Sequence, residues 1–184
     1  DRIYIDTWAN ICADGWSSLL LGNGASIAIH KEFAYPTLHG IADAKGLLAT
    51  TAPIFAKLGT TDFEHVLLAC WYAEHVNGAL GTPSAAISAA YEEVRTALIE
   101  AVHSVHPVHA DVATDLQRVG AFASAFPTVV SLNYDLTLYW AMLLFNAAHG
   151  SWFKDAFHDG EFQTDWDYQR RPYGHAAGAT LVFY

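Results

Sequence analysis

Basic residues are scarce in this chain. Nine Lys and Arg stand against 19 Asp and Glu, a formal charge of −10 with histidines neutral. A surface of that sign repels phosphate backbones and lacks the cationic footprint of a nucleic-acid binder. Cysteine is scarcer still: Cys12 and Cys70 are the only two, too few for a disulfide framework and suited to a reducing cytoplasm. No apolar run approaches the ~18–20 residues that span a bilayer. The opening DRIYIDTWANICADGW carries acids and aromatics where a secretory leader shows a basic end and an apolar core. Repeats, low-complexity tracts and flexible linkers are missing as well, so one domain over residues 1–184 is expected. What remains is apolar, 53% hydrophobic against 15% charged, which excludes intrinsic disorder and supports a substantial core. The expectation is a soluble, cytoplasmic globular domain.

Three short apolar runs read as strands: Trp16 to Leu21, Pro127 to Leu132 and Ala179 to Tyr184. Runs this short and continuous suit strands covered on both faces, as in parallel sheets. Between them the pattern is helical. Asp62 opens an apolar stretch that ends near Gly78; Ala85 to Val105, Val112 to Phe122 and Leu136 to Ala148 follow. Strand, helix and strand in this order predict an α/β fold, a Rossmann-like parallel sheet flanked by helices. About 37–125 is too helical for one crossover and reads as a helical insertion between the first and second core strands. Residues 150 to 178 interleave aromatics with acids without a period, as either a packed loop or a lid over a ligand.

Two strand ends carry candidate chemistry. In LLLGNGAS, Leu19 to Ser26, an apolar strand ends in Gly-x-Gly before a predicted helix, where side-chain-free backbone lets a phosphate come close. A third glycine, as in the dinucleotide fingerprint, is absent, and a tight turn is the plainer reading. In VVSLNYDLTLYW, Asn133 and Asp135 follow the second predicted strand. Either caps the next helix or lines the ligand crevice at the carboxyl ends of the strands, and the two roles are compatible. In one parallel sheet both motifs open onto the same edge.

GNGAS after an apolar strand, Asp62-Phe63-Glu64, and a second strand ending in Ser-Leu-Asn-Tyr-Asp together resemble the sirtuin-like NAD-consuming proteins. The closer likeness is to a bacterial branch of them rather than to the protein deacetylases, whose four-cysteine zinc module two distant cysteines cannot build. The resemblance implies that Gly22, Asn23, Gly24, Ala25 and Ser26 form a phosphate-cradling turn. It implies that Asn133 and Asp135 face the nicotinamide riboside, and that NAD is the substrate. The implied reaction is hydrolysis of the nicotinamide–ribose bond by an NAD glycohydrolase, as in relatives that deplete NAD in antiphage defence. Such relatives act as oligomers, sometimes with a regulatory protein partner.

The family's catalytic His-Gly follows a strand, and the matching strand, ATLVFY, ends at Tyr184. A histidine just beyond the present C-terminus is therefore expected, with the domain incomplete at that end. His149-Gly150 and His175 are candidates within the chain. A sensor that binds nucleotide but lacks a base, and an interaction module whose Gly-x-Gly is only a turn, are the alternatives. The ten histidines do not read as a metal centre: His103, His106 and His109, before Asp111, drift around a helix that Pro107 interrupts. No metal is expected. Arg170-Arg171 reads as a solvated or aspartate-paired turn, or as a phosphate contact.

Overall fold

The computed structural model describes residues 7–158, 160–171 and 180–183. They divide into two compact units, Asn23–Val108 on one side and Asp1–Gly22 with His109–Tyr184 on the other. We call them the helical unit and the sheet unit.

In the sheet unit, α1 (Trp8–Ile11) precedes β1 (Ser18–Leu21); α7 (His109–Ala123), β2 (Thr128–Ser131) and α8 (Thr137–His149) come after the helical unit. The chain continues through β3 (Phe153–Asp155), the hairpin of β4 (Phe157–His158) and β5 (Glu161–Phe162), α9 (Trp166–Gln169) and β6 (Thr180–Phe183). Four strands form one sheet in the order β1-β2-β6-β3, and every pairing is parallel. The fold is α/β with a parallel sheet flanked by helices, the Rossmann-like class the sequence predicts. Alternation along the strands decides what flanks it. Val129 and its register partner Val182 are fully buried in one cluster with Ala123 of α7 and Leu138 and Met142 of α8. Phe183, one residue on, meets Trp166 of α9 at 5.5 Å between ring centroids.

β1 departs from the expectation of coverage on both faces. It lies at the edge of the sheet, and only Leu19 and Leu21 pack on the core while Leu20 is 64% exposed. β3 was hidden in the aperiodic aromatic stretch because three residues are too few to show a period.

The helical unit begins with α2 (Asn23–Ile29), followed by α3 (Tyr35–Ala44), α4 (Ala52–Leu58), α5 (Phe63–Leu80) and α6 (Ala85–Val105). Its own core centres on Phe33, Phe55, Phe63, Val66, Val94 and Leu98. Asp62 caps α5, its Oδ1 accepting from Glu64 N at 2.9 Å and His65 N at 3.2 Å, while Phe63 is wholly buried. The Asp-Phe-Glu motif thus has a structural role: it starts a helix and anchors it. The expected helical stretch of about 37–125 divides differently, because α7 packs against α8 and belongs with the sheet.

Candidate functional site

The register of β1 on β2 sets the site. Leu21 pairs with Ser131, and Leu132 N donates to Leu21 O at 2.9 Å, so Gly22 and Asn133 leave the sheet at one carboxyl-terminal edge. There the chain after β2 turns sharply, with Asn133 N donating to Ser131 Oγ at 3.2 Å. Asn133 is half-buried and its Oδ1 is sealed from solvent. Two residues on, Asp135 Oδ1 accepts from Thr137 N at 2.8 Å and also from Thr137 Oγ1. Thr137 opens α8, so Asp135 captures an N–H that the helix itself leaves unpaired. Asp135 stands one residue ahead of the N-cap, Leu136, and this bond fixes its carboxylate at the rim beside Asn133. Tyr134 stands between them, more than half exposed.

Gly22 and Gly24 lack the usual internal reasons for being glycine. Neither has a positive φ, and a Cβ added to either meets no described atom within 4 Å. Gly120 shows the contrast: a Cβ there would lie 3.1 Å from Ala141 O and from Phe145 Cβ, where α7 crosses α8. Each leaves open the small space that a Cβ would take. Asn23 and Ser26, by comparison, are engaged inside the helical unit. Asn23 Nδ2 donates to Phe33 O at 3.2 Å, and Ser26 is fully buried with its carbonyl accepting from His30 N. Ala25 is half-buried.

His149 is not brought to this rim. It ends α8, whose first residue is Thr137, so about 18 Å of helix separates it from the Asp135 turn. There it stacks on Phe145 at 4.0 Å between centroids, and its Nδ1 meets Phe145 O at 3.1 Å. Helix termination, with Gly150 as the stop at φ 80°, accounts for the His-Gly pair. His175 lies outside the described residues, as does Tyr184. Arg170 serves neither an aspartate nor the rim: its guanidinium donates to Pro127 O at 3.0 Å and Thr128 Oγ1 at 2.8 Å, tying α9 to the start of β2. Among the described residues no group of three or more His, Cys, Asp or Glu is placed to hold a metal ion. The Cys70 thiol is pushed up by burial, opposite to what a nucleophile needs.

A feature without a signal of its own in the sequence lies in the sheet unit. A cavity of about 730 Å³ opens between α8 and the segment running from β3 to α9, with Tyr139, Met142, Lys154, Asp155, Asp165 and Tyr168 in its wall. The α8 members, Tyr139, Met142, Leu143 and Asn146, recur at helical spacing, a signal that also describes ordinary core packing. Asn146 holds β3 in place as a two-way clamp, donating from Nδ2 to Phe153 O at 2.9 Å and accepting at Oδ1 from Phe153 N at 2.8 Å. Burial lowers the Lys154 ammonium, which donates to Gln169 O at 2.9 Å and to Arg171 O.

A parallel sheet whose strand ends set a bare glycine beside an amide and a carboxylate makes this an α/β protein of the Rossmann-like class. Residues 19–184, from β1 through the rim to the end of the chain, match the family described as Domain of unknown function (DUF4917), and the chain belongs to it. No curated protein and no solved structure matches it. Among the described residues no helix is long and apolar enough to cross a membrane.

Proposed function

We propose that the rim at the ends of β1 and β2 binds NAD, and that the protein is a cytoplasmic NAD glycohydrolase. One observation carries the reading: the Leu21–Ser131 register sets Gly22 at the same edge as Asn133 and Asp135. Ligands of open parallel sheets bind outside the carboxyl ends of the strands. Gly22 puts no side chain between an approaching pyrophosphate and the backbone. The sequence resemblance to NAD-consuming proteins supplies the ligand, and the acidic chain with two cysteines fits a reducing compartment.

In the proposed reaction the bond between nicotinamide nitrogen and ribose C1′ breaks and its electron pair leaves with nicotinamide. Water oxygen bonds to C1′, giving ADP-ribose and releasing one proton to solvent. Positive charge grows on the sugar in the transition state. Asn133 orients the ribose or the attacking water, and the Asp135 carboxylate, fixed by Thr137, grips the carboxamide and faces that charge. The test is incubation with NAD and chromatographic measurement of free nicotinamide. Release that disappears in Asn133→Ala is expected; neither release nor calorimetric affinity for NAD would overturn the proposal.

The placement of His149 favours a second reading. With that histidine at the far end of α8, the described rim holds an amide and a carboxylate without a histidine base. A nucleotide sensor would then bind NAD in calorimetry and release no nicotinamide, an outcome that separates the two.

A further inference from the structure

The cavity beside α8 is independent of the rim reading and has its own chemistry. Its volume of about 730 Å³ falls within the range of small-molecule sites, roughly 300–1,000 Å³. Large apolar side chains that the fold leaves exposed converge on it: Tyr139, Leu143, Phe157 and Tyr168 are each 41–51% accessible. Exposed aromatic surface gathered around one concavity is a feature of binding sites rather than of random surface.

Charge selects the ligand. Asp155 and Asp165 both contribute to the wall. Each gives its Oδ1 to a backbone N–H, that of Phe157 at 3.1 Å and of Tyr168 at 2.9 Å. Among the described residues no hydrogen bond or ion pair engages the second oxygen of either. The one lysine in the described wall, Lys154, directs its ammonium to backbone carbonyls of Gln169 and Arg171. An anion entering here would meet two carboxylates, whereas a cation would meet those carboxylates and the exposed rings of Tyr139, Phe157 and Tyr168. Tyr168 already attracts a cation, with the Arg171 guanidinium 5.7 Å from its ring centroid.

We propose that this cavity is a binding site for an organic ammonium ion with an aromatic or apolar body. The body lies against Met142, Leu143 and the rings, and the cationic head points to Asp155 and Asp165.

Met142 is the chain's only methionine and lines the cavity, so its ¹³C-labelled methyl gives a single resonance that reports occupancy in the full chain. Three probes of one shape separate the possibilities: phenethylammonium, 2-phenylethanol and 3-phenylpropionate. Phenethylammonium is expected to move the Met142 signal saturably, the alcohol to bind about tenfold more weakly, and the carboxylate not at all. Asp155→Asn retains an acceptor for Phe157 N and is expected to weaken the ammonium about tenfold. Its unliganded Met142 signal should stay where it was, which shows that the cavity is intact. Tyr168→Leu, on an exposed ring, should weaken it by a smaller factor. Equal binding of all three probes, tightest binding of the carboxylate, or no displacement of the signal at millimolar phenethylammonium would each overturn the proposal. No arm uses NAD, so failure here leaves the rim reading to its own test.

Discussion

The helical unit and the sheet unit differ in where their polar side chains gather. In the helical unit several anchor backbone or join one helix to the next. Glu93 on α6 accepts from the N–H and hydroxyl of Thr50 and of Thr51, closing the start of α4 with one carboxylate. Asp62 caps α5, and Ser88 Oγ donates to Glu74 Oε1 at 2.7 Å to join α6 to α5. In the sheet unit polar groups gather where strands end and around a cavity. Asn133 and Asp135 stand at the rim, and Asp155 and Asp165, each with one oxygen engaged by a backbone N–H, line the cavity. Polar groups consumed by backbone make a scaffold, whereas acids in the wall of a cavity also line space that a ligand can enter. On the proposed reading, the first unit supplies stability and the second the ligand chemistry.

The largest expected effect tests the scaffold half. Phe63 is wholly buried and meets Phe55 edge-on at 5.2 Å, so Phe63→Ala opens a cavity at the centre of the helical core. A loss of about 3–5 kcal/mol is expected in urea denaturation, a large share of a typical domain's stability. Next comes Glu93→Ala, which strips two backbone N–H groups of their partner and should cost about 1–3 kcal/mol. It carries a pH signature as well. Burial raises the Glu93 carboxyl, but its hydrogen bonds to Thr50 and Thr51 outweigh that and hold it below the ordinary glutamate value. A depressed folded-state value means that Glu93 adds stability above the unfolded-state value of about 4.3, and that the gain disappears as pH falls through the lower folded value. Stability curves of the parent and Glu93→Ala should therefore converge in acid. Parallel curves down to low pH would show that the carboxylate is an onlooker.

Gly120→Ala sharpens the comparison inside the sheet unit. A methyl there collides with Ala141 O and the Phe145 side chain, so overpacking of about 1–3 kcal/mol works against a helix-propensity gain of about 1 kcal/mol. A net loss of about 1 kcal/mol is expected in denaturant titration, and a gain would mean that α7 and α8 separate easily.

Most of the skeleton was legible in the sequence because its signals are local. The runs Trp16 to Leu21, Pro127 to Leu132 and Ala179 to Tyr184 contain β1, β2 and β6, and the starts of α5 and α6 lie beside Asp62 and Ser84. The shared edge of Gly22 and Asn133 followed from parallel pairing alone, since all strands of such a sheet end together. What was not legible depends on tertiary neighbours. His149 and a catalytic His-Gly look the same in one dimension, and only the length of α8 tells them apart. β1 reads like a buried strand because its solvent face carries Leu20, which position in the sheet rather than composition leaves bare. The cavity beside α8 is assembled from residues 139 to 169, and its wall has no contiguous motif.

The smallest expected effect on stability is the most informative. Gly22 has no left-handed φ and open space where a Cβ would sit, so Gly22→Ala should change unfolding free energy by no more than about 0.5 kcal/mol. Reduced freedom in the unfolded chain could even make the change favourable. If the rim holds a pyrophosphate against the backbone, the same methyl occupies the approach path, and affinity for NAD should fall about tenfold, or 1.4 kcal/mol. Gly120→Ala is the matched control, because it disturbs packing and should leave affinity per folded molecule unchanged. Calorimetry on the two variants thus separates a glycine kept for packing from one kept for a ligand. Equal NAD affinity in Gly22→Ala and parent would make the LLLGNGAS turn a simple strand exit and remove the pyrophosphate from the rim.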